Sequence, residues 1–286
     1  MKIFVTDGSC CTGKAVIKEL VSLGAEVYGL VPDDTSAYEI EKLGGRTLIG
    51  DIRDEYILEK GIKAADKIYH VCPSWILDEI EVANKIIKIS QGSDISLLGY
   101  HSVMTPHFDS VPSLWNKMQV QMLLMKSHLP FTVIQPAIYM QSLFDSMVIE
   151  SDSIKFELPF NPDAQISWVD IDDVANAVAL ILTRPNHVGG TYELCGTDAP
   201  ISCFNVLKEI DNLSLKNIEL IHVPVYEDEN ISFINKYNSK QMNHQKLYYD
   251  FINANGMRAG NSKVLTMLLQ RSPNSFKRAF NLKYQL

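Results

Sequence analysis

The 286-residue sequence predicts an α/β fold, a doubly wound parallel sheet with a smaller C-terminal α+β lobe. Two observations predict this class. Short apolar runs alternate with amphipathic stretches of helical spacing over about the first 140 residues. The apolar runs are hydrophobic almost throughout, which is typical of parallel strands that are buried on both faces of a sheet.

The elements of this first part follow one another in a regular order. The first helix places Val16, Ile17 and Leu20 on one face and ends at Gly24, a residue type that favours a helix C-terminus. The predicted strands are KIFVTD (2–7), AEVYGLV (25–31), RTLIGD (46–51), KIYHVC (67–72), ISLLGYHS (95–102) and FTVIQPA (131–137). The predicted helices lie after Gly13, over ILEKGIKAA (57–65) and over 77–89.

After about residue 140 the pattern loosens, and short strands are predicted among helices. These strands are SIKFELP (153–159), ISWVD (166–170), TYELC (191–195) and IELIHVPV (218–225), and a helical tail with a break at Pro273 is predicted over 262–280. We therefore predict a Rossmann-like core over 1–140, to which parts of 165–225 return. A smaller lobe over 141–286, which does not fold independently, would complete a substrate cleft outside the carboxyl ends of the strands.

The composition argues against several classes of partner. The formal net charge is −8 and the sequence has no basic stripe, so nucleic acid is not expected as a main partner. No apolar run reaches the roughly 20 residues that a membrane helix needs, so no membrane association is expected. The N-terminus begins with a strand-like run and not with a signal-peptide pattern, so the expected compartment is the cytoplasm. Nothing in the composition indicates an oligomeric state.

The five cysteines do not form a metal-binding pattern. No C-x-x-C pair is present and the histidines do not lie at ligand spacings from the cysteines, so no metal site is predicted. Cys10 and Cys11 are adjacent at the start of the first helix, where a lowered thiol pKa would make them redox-active. The favoured interpretation is that they are small residues in a tight turn.

The segment VTDGSCCTGKAV (5–16) joins the first strand to the first helix, where a phosphate-binding loop would lie. It nearly matches the P-loop, but Ala15 replaces the hydroxyl that would hold Mg²⁺, so phosphoryl transfer is disfavoured. It also nearly matches a G-x-x-G-x-x-G dinucleotide loop in which only Gly13 is kept. Cys10 places a side chain where the phosphates approach, and Asp7 adds a negative charge. We therefore predict a weakened dinucleotide site.

Three longer segments carry a family resemblance: 100–143, which contains YHSVMTPHFDSVPSLWNK, 167–196, which contains SWVDIDDVANAVAL, and MLLQRSPNSFKRAF at 267–280. They resemble the NmrA-like family of atypical short-chain dehydrogenases/reductases, and the similarity spans essentially the whole chain. The resemblance implies a Rossmann core with a small C-terminal domain and NAD(P)H as the cofactor. It also implies one of two functions, an NAD(P)H-dependent reductase of quinones, dyes or metabolites, or a non-catalytic sensor of the dinucleotide.

The resemblance assigns cofactor contacts to the ends of the predicted strands. After the second strand, Pro32 stands where the family commonly has an arginine and is followed by Asp33 and Asp34, so we expect NAD to be favoured over NADP. The alternative is that the two aspartates only begin the turn before the next helix. The cofactor-binding residues implied by the family pattern are Thr6, Gly8, Ser9, Cys10, Thr12, Gly13, Pro32, Asp33, Asp51, Cys72, Pro73, Ser102 and Lys117.

The catalytic residues implied by the resemblance are incomplete. Lys117 falls on the family's lysine, but Ser113 stands where dehydrogenases of the wider superfamily have a tyrosine that protonates the substrate. Tyr139 and His101 are candidate substitute donors, although core packing for Tyr139 and a polar loop position for His101 are the simpler interpretations. If the protein is an enzyme, Lys117→Ala should lower turnover by roughly tenfold or more through loss of positioning and electrostatics. Folding should be little affected, because Lys117 is expected to be an exposed side chain.

These residues leave two classes of function open. The first is an NAD(P)H-dependent reductase of a small apolar or aromatic substrate, with cofactor binding that is weak or lost. The second is a non-catalytic protein that reads a dinucleotide or a metabolite. A cofactor-free lyase or isomerase that reuses the cleft is a weaker third. In each case the expected partner is a small molecule.

Overall fold

The computed structural model describes residues 1–72, 77–149, 153–210, 217–224 and 239–284. The strands are β1 (Lys2–Val5), β2 (Glu26–Val31), β3 (Arg46–Ile49), β4 (Lys67–His70), β5 (Leu97–His101), β6 (Phe131–Pro136), β7 (Ile138–Tyr139), β8 (Met147–Ile149), β9 (Ser153–Leu158), β10 (Trp168–Val169), β11 (Thr191–Leu194) and β12 (Asn217–His222). The helices are α1 (Cys11–Ser22), α2 (Asp34–Lys42), α3 (Glu55–Lys63), α4 (Glu79–Gln91), α5 (Pro112–Lys126), α6 (Met140–Asp145), α7 (Ile171–Thr183), α8 (Cys203–Glu209), α9 (Ser239–Asn255), α10 (Lys263–Leu269) and α11 (Phe276–Tyr284).

The central sheet has seven strands in the order β11-β6-β5-β4-β1-β2-β3. Its pairs from β3 through β1 to β6 are parallel. The chain builds outward from β1 to β3 and then returns to place β4 on the other side of β1, so the strand order reverses between β1 and β4. Ligands of doubly wound sheets bind at the carboxyl ends of the strands beside this point. The predicted fold class is confirmed.

The central strands form because their residues are apolar on both faces of the sheet. Ile3, Phe4 and Val5 of β1 are completely shielded from solvent, and every residue of β5 is buried. The six strands predicted for this part of the chain are all present. The second strand ends at Val31 as predicted, and the predicted C-terminal ends of the other five run one or two residues too far.

Two compact units divide the chain. The first comprises Met1–His107, Leu114–Gln135 and Val174–Tyr192, and the second comprises Phe108–Ser113, Pro136–Asp173 and Glu193–Leu286. The first unit therefore includes a late segment of the chain as well as the N-terminal part. That residues 141–286 do not fold independently stays a prediction.

The second unit contains a three-stranded sheet, β12-β9-β8, and a two-stranded pair, β10-β7. Its core contains several aromatic rings among aliphatic side chains. Trp168 is completely buried and meets Phe276 edge to face, with ring centroids 5.8 Å apart. Phe144 meets Phe280 in the same way at 5.4 Å. These contacts fix the C-terminal helix α11 against the rest of this unit.

The predicted elements of the second part are present with different bounds, and the strand predicted over 166–170 is reduced to Trp168–Val169. The helical tail is divided into α10 and α11, and the break contains Pro273 as predicted. The predicted strand over 218–225 is β12, which ends at His222, and Val225 lies outside the described residues. No sequence pattern predicts α9, because its polar residues do not leave a continuous apolar stripe at helical spacing.

Candidate nucleotide site

The loop between β1 and α1 brings the helix close to the first strand. Cys10 takes the N-cap position of α1 in an extended backbone conformation. The N–H of Gly8 donates to the carbonyl oxygen of Leu30 at 2.7 Å, which ties the loop to β2. A Cβ on Gly13 would lie 1.9 Å from the carbonyl oxygen of Asp7, so only glycine fits there. The close approach of helix and strand predicted for Gly13 is therefore present.

The Asp7 carboxylate turns into its own loop. Its Oδ1 accepts hydrogen bonds from the backbone N–H of Ser9 at 3.1 Å, the hydroxyl of Ser9 at 2.8 Å and the backbone N–H of Cys10 at 3.2 Å. Asp7 is only 5% exposed. Two backbone donors that would face a bound phosphate in a loop of this type are thus already bonded to a side-chain anion.

The sulfur of Cys10 accepts a hydrogen bond from a third backbone N–H of the same loop. Its Sγ accepts the N–H of Gly13 at 3.2 Å and lies 3.5 Å from the carbonyl oxygen of Asp7, to which the thiol donates. Burial, reinforced by the Asp7 charge, raises the pKa of Cys10 well above its usual value. The thiol therefore stays protonated and caps the helix, which agrees with the structural interpretation of Cys10. Thr12 is buried in the first turn of the helix, and Ser9 is half-buried.

Thr6 is fully used in joining β1 to the end of β4. Its hydroxyl donates to the carbonyl oxygen of Val71 at 2.8 Å and accepts the N–H of Val71 at 3.1 Å. The Nδ1 of His70 lies 2.9 Å from the same hydroxyl, and since the hydroxyl proton is already used, Nδ1 carries the hydrogen of that bond. The Nε2 of His70 is then a buried acceptor without a partner. The cofactor contact implied for Thr6 stays a prediction.

Pro32 and Asp33 are exposed after β2. Asp33 is the N-cap of α2, and its carboxylate accepts the backbone N–H of Ser36 at 2.8 Å. The backbone and hydroxyl hydrogen bonds from Ser36 lower the pKa of Asp33. The aspartate does begin the turn before the next helix, as the alternative interpretation expects, and it keeps an exposed side chain at the end of the strand. The preference for NAD stays a prediction.

The loop after β3 contains an exposed ion-pair network. Asp51 accepts the backbone N–H of Arg53 at 2.7 Å and also meets its guanidinium at 3.3 Å. The same guanidinium donates through Nε to Asp78 at 3.0 Å. Arg53 is a cation beside the implied cofactor residue Asp51, and the sequence analysis did not identify it.

The ends of β4 and β5 are more deeply buried than the resemblance implies. Cys72 packs in the apolar core of the first unit, and burial raises its pKa. Pro73 lies outside the described residues. Ser102 is completely buried and accepts the side-chain amide of Gln121 at 2.8 Å, and Gln121 accepts in turn from Gln135 at 3.0 Å.

Lys117 lies in a buried ion pair. Its Nζ donates to Oε1 of Glu79 at 2.6 Å and to the carbonyl oxygen of His101 at 3.4 Å, and the hydroxyl of Tyr100 donates to the same Glu79 oxygen at 2.8 Å. The predicted exposure of Lys117 is wrong, because the lysine is 8% exposed. Lys117→Ala would leave the buried Glu79 carboxylate without its cation, so we now expect it to destabilise the fold.

His101 is a buried neutral imidazole. Its Nδ1 lies 2.6 Å from the hydroxyl of Tyr69, and the two rings meet edge to face. Burial, followed by the charge of Lys117, lowers its pKa to about 3. The same two causes lower the pKa of His70 to about 3. An imidazole of this kind carries no second proton at neutral pH, which weakens the case for His101 as an acid.

Tyr139 belongs to the second unit. It lies in the short strand β7, opposite Val169 of β10, and is half-buried. Its role as a substitute proton donor stays a prediction.

Sequence reasoning missed the residues that surround Lys117. Glu79 pairs with Lys117, Tyr100 donates to Glu79, and His70 stacks on Tyr100. Tyr69 contacts His101, and none of these four residues was singled out. A signal was available, because polar rings inside the otherwise apolar strands KIYH and LLGYH require partners when buried. The partner of Lys117 had no such signal, because Glu79 lies 38 positions earlier on another helix.

The sequence matches the model of the NmrA-like family over residues 1–276. The chain belongs to the NmrA-like family. Among curated proteins it is 26% identical over 206 residues to an NAD(P)H azoreductase of Xenophilus azovorans, covering 69% of this chain and 68% of that protein. It thus has the NAD(P)-binding Rossmann fold of the family.

Two solved structures have the same fold as this chain. An NADPH-dependent quinone oxidoreductase from Escherichia coli, in complex with NADPH, superimposes with a TM-score of 0.79 at 15% identity and covers 99% of this chain and 100% of its own. NmrA, a negative transcriptional regulator in complex with NADP, gives a TM-score of 0.78 at 16% identity, with 99% and 96% coverage. Enzymes and a regulator are therefore both similar to this chain.

The loop residues fit a dinucleotide only in part. Gly8 and Gly13 keep the turn compact, but Asp7 and Cys10 occupy donors that a diphosphate would use.

Across the described ranges, no helix is long and apolar enough to cross a membrane. Nor does that part of the chain contain three clustered His, Cys, Asp or Glu side chains arranged to hold a metal ion.

Proposed function

We propose that this NmrA-like protein is an NAD(P)H-dependent reductase of small apolar or aromatic acceptors, with weak cofactor binding. The observation that carries the proposal is the absence of an acid from the residues that the family pattern would use. Ser113 replaces the phenol, His101 is a neutral imidazole with a pKa of about 3, and Lys117 is paired with Glu79.

The loss of the phenol at position 113 affects which electron acceptors this chain is suited to reduce. The cofactor supplies a hydride when bound. A ketone that receives a hydride becomes an alkoxide, which needs an acid at the site. A quinone becomes a phenolate-type anion, and so does a hydroxy-azo dye in its quinone hydrazone form. Such an anion is far less basic than an alkoxide and takes its proton from water. With Ser113 in place of the phenol and His101 neutral, Tyr139 is the remaining candidate acid. Reduction of a simple ketone would require its proton, whereas such a quinone-type acceptor needs only to be bound and oriented. The azoreductase relative supports the same class.

The test follows the oxidation of NADH and NADPH by absorbance at 340 nm with three acceptors: a naphthoquinone, an azo dye and an aliphatic ketone. We expect turnover with the quinone or the azo dye and none with the ketone. Comparable reduction of the ketone would show that an acid is present. If the dinucleotide binds at millimolar concentration but neither the quinone nor the azo dye is reduced, the protein is not a reductase of this class.

The cofactor preference is part of the proposal. Pro32 and the exposed Asp33 leave no cation at the second-strand position where the family commonly has an arginine, so a 2′-phosphate would meet a negative charge. We expect NADH to bind more tightly than NADPH, and only modestly so because the charges are exposed. Paired calorimetric titrations measure the difference, and tighter binding of NADPH would contradict it.

The second candidate function is a non-catalytic sensor of a dinucleotide or metabolite. The buried ion pair favours it, because the ammonium of Lys117 is held by Glu79 at 2.6 Å and by a carbonyl oxygen. Selective dinucleotide binding without turnover of any acceptor would support this alternative.

A further inference from the structure

The loop at residues 7–13 satisfies its own hydrogen-bond donors. Asp7 accepts the N–H groups of Ser9 and Cys10 at 3.1 and 3.2 Å, and the Cys10 sulfur accepts the N–H of Gly13 at 3.2 Å. Backbone N–H groups at this position hold the phosphates of a ligand in loops of this class. In this chain a carboxylate of the protein lies where that anion would bind.

The Asp7 carboxylate is itself incompletely satisfied. The residue is only 5% exposed, and its buried Oδ2 has no hydrogen-bond partner. Within the described part of the chain, no cation forms an ion pair with Asp7. An unpaired buried carboxylate oxygen is costly, and that cost is relieved when the side chain turns outward to water. The inward arrangement is therefore held mainly by the loop donors.

We propose that Asp7 is an intramolecular competitor for phosphate, which sets the affinity of this loop for dinucleotides. A diphosphate requires the N–H groups of Ser9 and Cys10, and Asp7 must leave them before it binds. The inference rests on the proposed function only in taking the dinucleotide as the ligand. It assigns Asp7 the role of a residue that sets ligand affinity and selectivity.

The competition has a consequence for ligand class. A nucleotide that carries phosphates at the loop displaces Asp7 and meets its charge, so its binding is weakened. A nucleoside without phosphate does not need these donors and is unaffected. Asp7 thus selects against the phosphate groups of a ligand and leaves recognition of its base and ribose unchanged.

The test uses ADP-ribose and adenosine as probes, titrated by calorimetry into the full-length protein. Asp7→Asn removes the charge and keeps an acceptor of nearly the same shape. Asp7→Gly removes the acceptor and restores the glycine of a dinucleotide loop. The matched control is Asp94→Asn, which removes an exposed carboxylate in the turn after α4 and changes the net charge equally.

We expect Asp7→Asn to bind ADP-ribose about tenfold more tightly than the natural protein, and Asp7→Gly to bind it more tightly still. Adenosine affinity should stay within about twofold in every variant, and Asp94→Asn should leave both probes unchanged. The proposal is overturned if neither Asp7 variant gains affinity for ADP-ribose, or if adenosine gains equally. Should Asp7→Gly fail to fold, Asp7→Asn decides alone.

The outcome is separable from the proposed function, because ADP-ribose has no nicotinamide and its binding requires no hydride transfer. Unchanged ADP-ribose affinity in a protein that reduces a quinone would overturn only the role of Asp7. A gain in ADP-ribose affinity in a protein that reduces no acceptor would overturn only the reductase.

Discussion

Asp7 and Glu79 are equally buried carboxylates of the same unit, each 5% exposed, but they are held in different ways. Glu79 pairs with the ammonium of Lys117 at 2.6 Å and accepts the hydroxyl of Tyr100 at 2.8 Å. Asp7 has only the neutral donors of its own loop, and one of its oxygens has no partner. At equal burial, the Glu79 carboxylate is therefore held by a cation, whereas the Asp7 carboxylate lacks a partner for one oxygen.

The difference indicates which region is built for stability and which for exchange. Removing one partner of a buried ion pair leaves an uncompensated charge in the interior. A carboxylate held only by the neutral donors of its own loop can release those donors to another anion. We therefore expect the Glu79 cluster to be rigid and the loop to respond to a ligand.

The largest expected effect is on Glu79. Glu79→Gln should lower the free energy of unfolding by about 3 kcal/mol, because Lys117 is left buried without an anion. Urea unfolding at pH 7, followed by far-UV circular dichroism, measures the loss. The matched control is Glu59→Gln, which breaks the exposed pair with Lys63 in α3 and should cost less than about 0.5 kcal/mol. Equal losses in the two variants would contradict the proposed difference between buried and exposed pairs.

The second effect is a loss of stability in acid. His70 and His101 have pKa values of about 3 in the folded protein, below the ordinary value of about 6.5. The unfolded chain therefore binds protons first, so stability is present above pH 6.5 and is lost as the pH falls toward 3. Each histidine should contribute a slope approaching 1.4 kcal/mol per pH unit in that window.

The acid slope is tested by urea unfolding between pH 7 and pH 4.5. His101→Gln should reduce the slope by the contribution of one histidine, whereas His107→Gln, which removes an exposed imidazole, serves as the control. A slope in the His101→Gln variant equal to that of the natural protein would show that His101 does not remain neutral in the fold.

The smallest expected effect is on Asp7. Asp7→Asn should change the free energy of unfolding by less than about 1 kcal/mol, because the new side chain keeps the oxygen that the loop donors need and no ion pair is lost. The same urea measurement applies. A loss as large as that of Glu79→Gln would mean that Asp7 is a structural anchor and that the two carboxylates do not differ as described.

The sequence predicted the features that depend on neighbouring residues. Apolar runs identified the six central strands, and the spacing of the loop identified Gly13 as the closest contact between helix and strand. The position of Asp7 near a bound anion was predicted, but its direction was not, because that depends on which backbone donors the turn presents to it.

The buried cluster could not be predicted in the same way. Lys117 resembles an exposed helix residue until Glu79, 38 positions earlier, is brought beside it by the sheet. His70 and Tyr100 come together for the same reason, since parallel pairing places them opposite each other in β4 and β5. Contacts of this kind follow from the topology of the sheet and leave no local pattern in the sequence.

Gly13 contacts the backbone of residue 7 and not its side chain. A Cβ there would meet the carbonyl oxygen and carbonyl carbon of residue 7, both of which belong to the backbone. The contact therefore does not depend on which side chain residue 7 carries. An exchange between aspartate and glycine at residue 7 therefore leaves the packing of the first helix against the sheet unchanged. If Asp7 sets the affinity as proposed, a single change at residue 7 alters nucleotide affinity and leaves the contact between helix and strand at Gly13 intact.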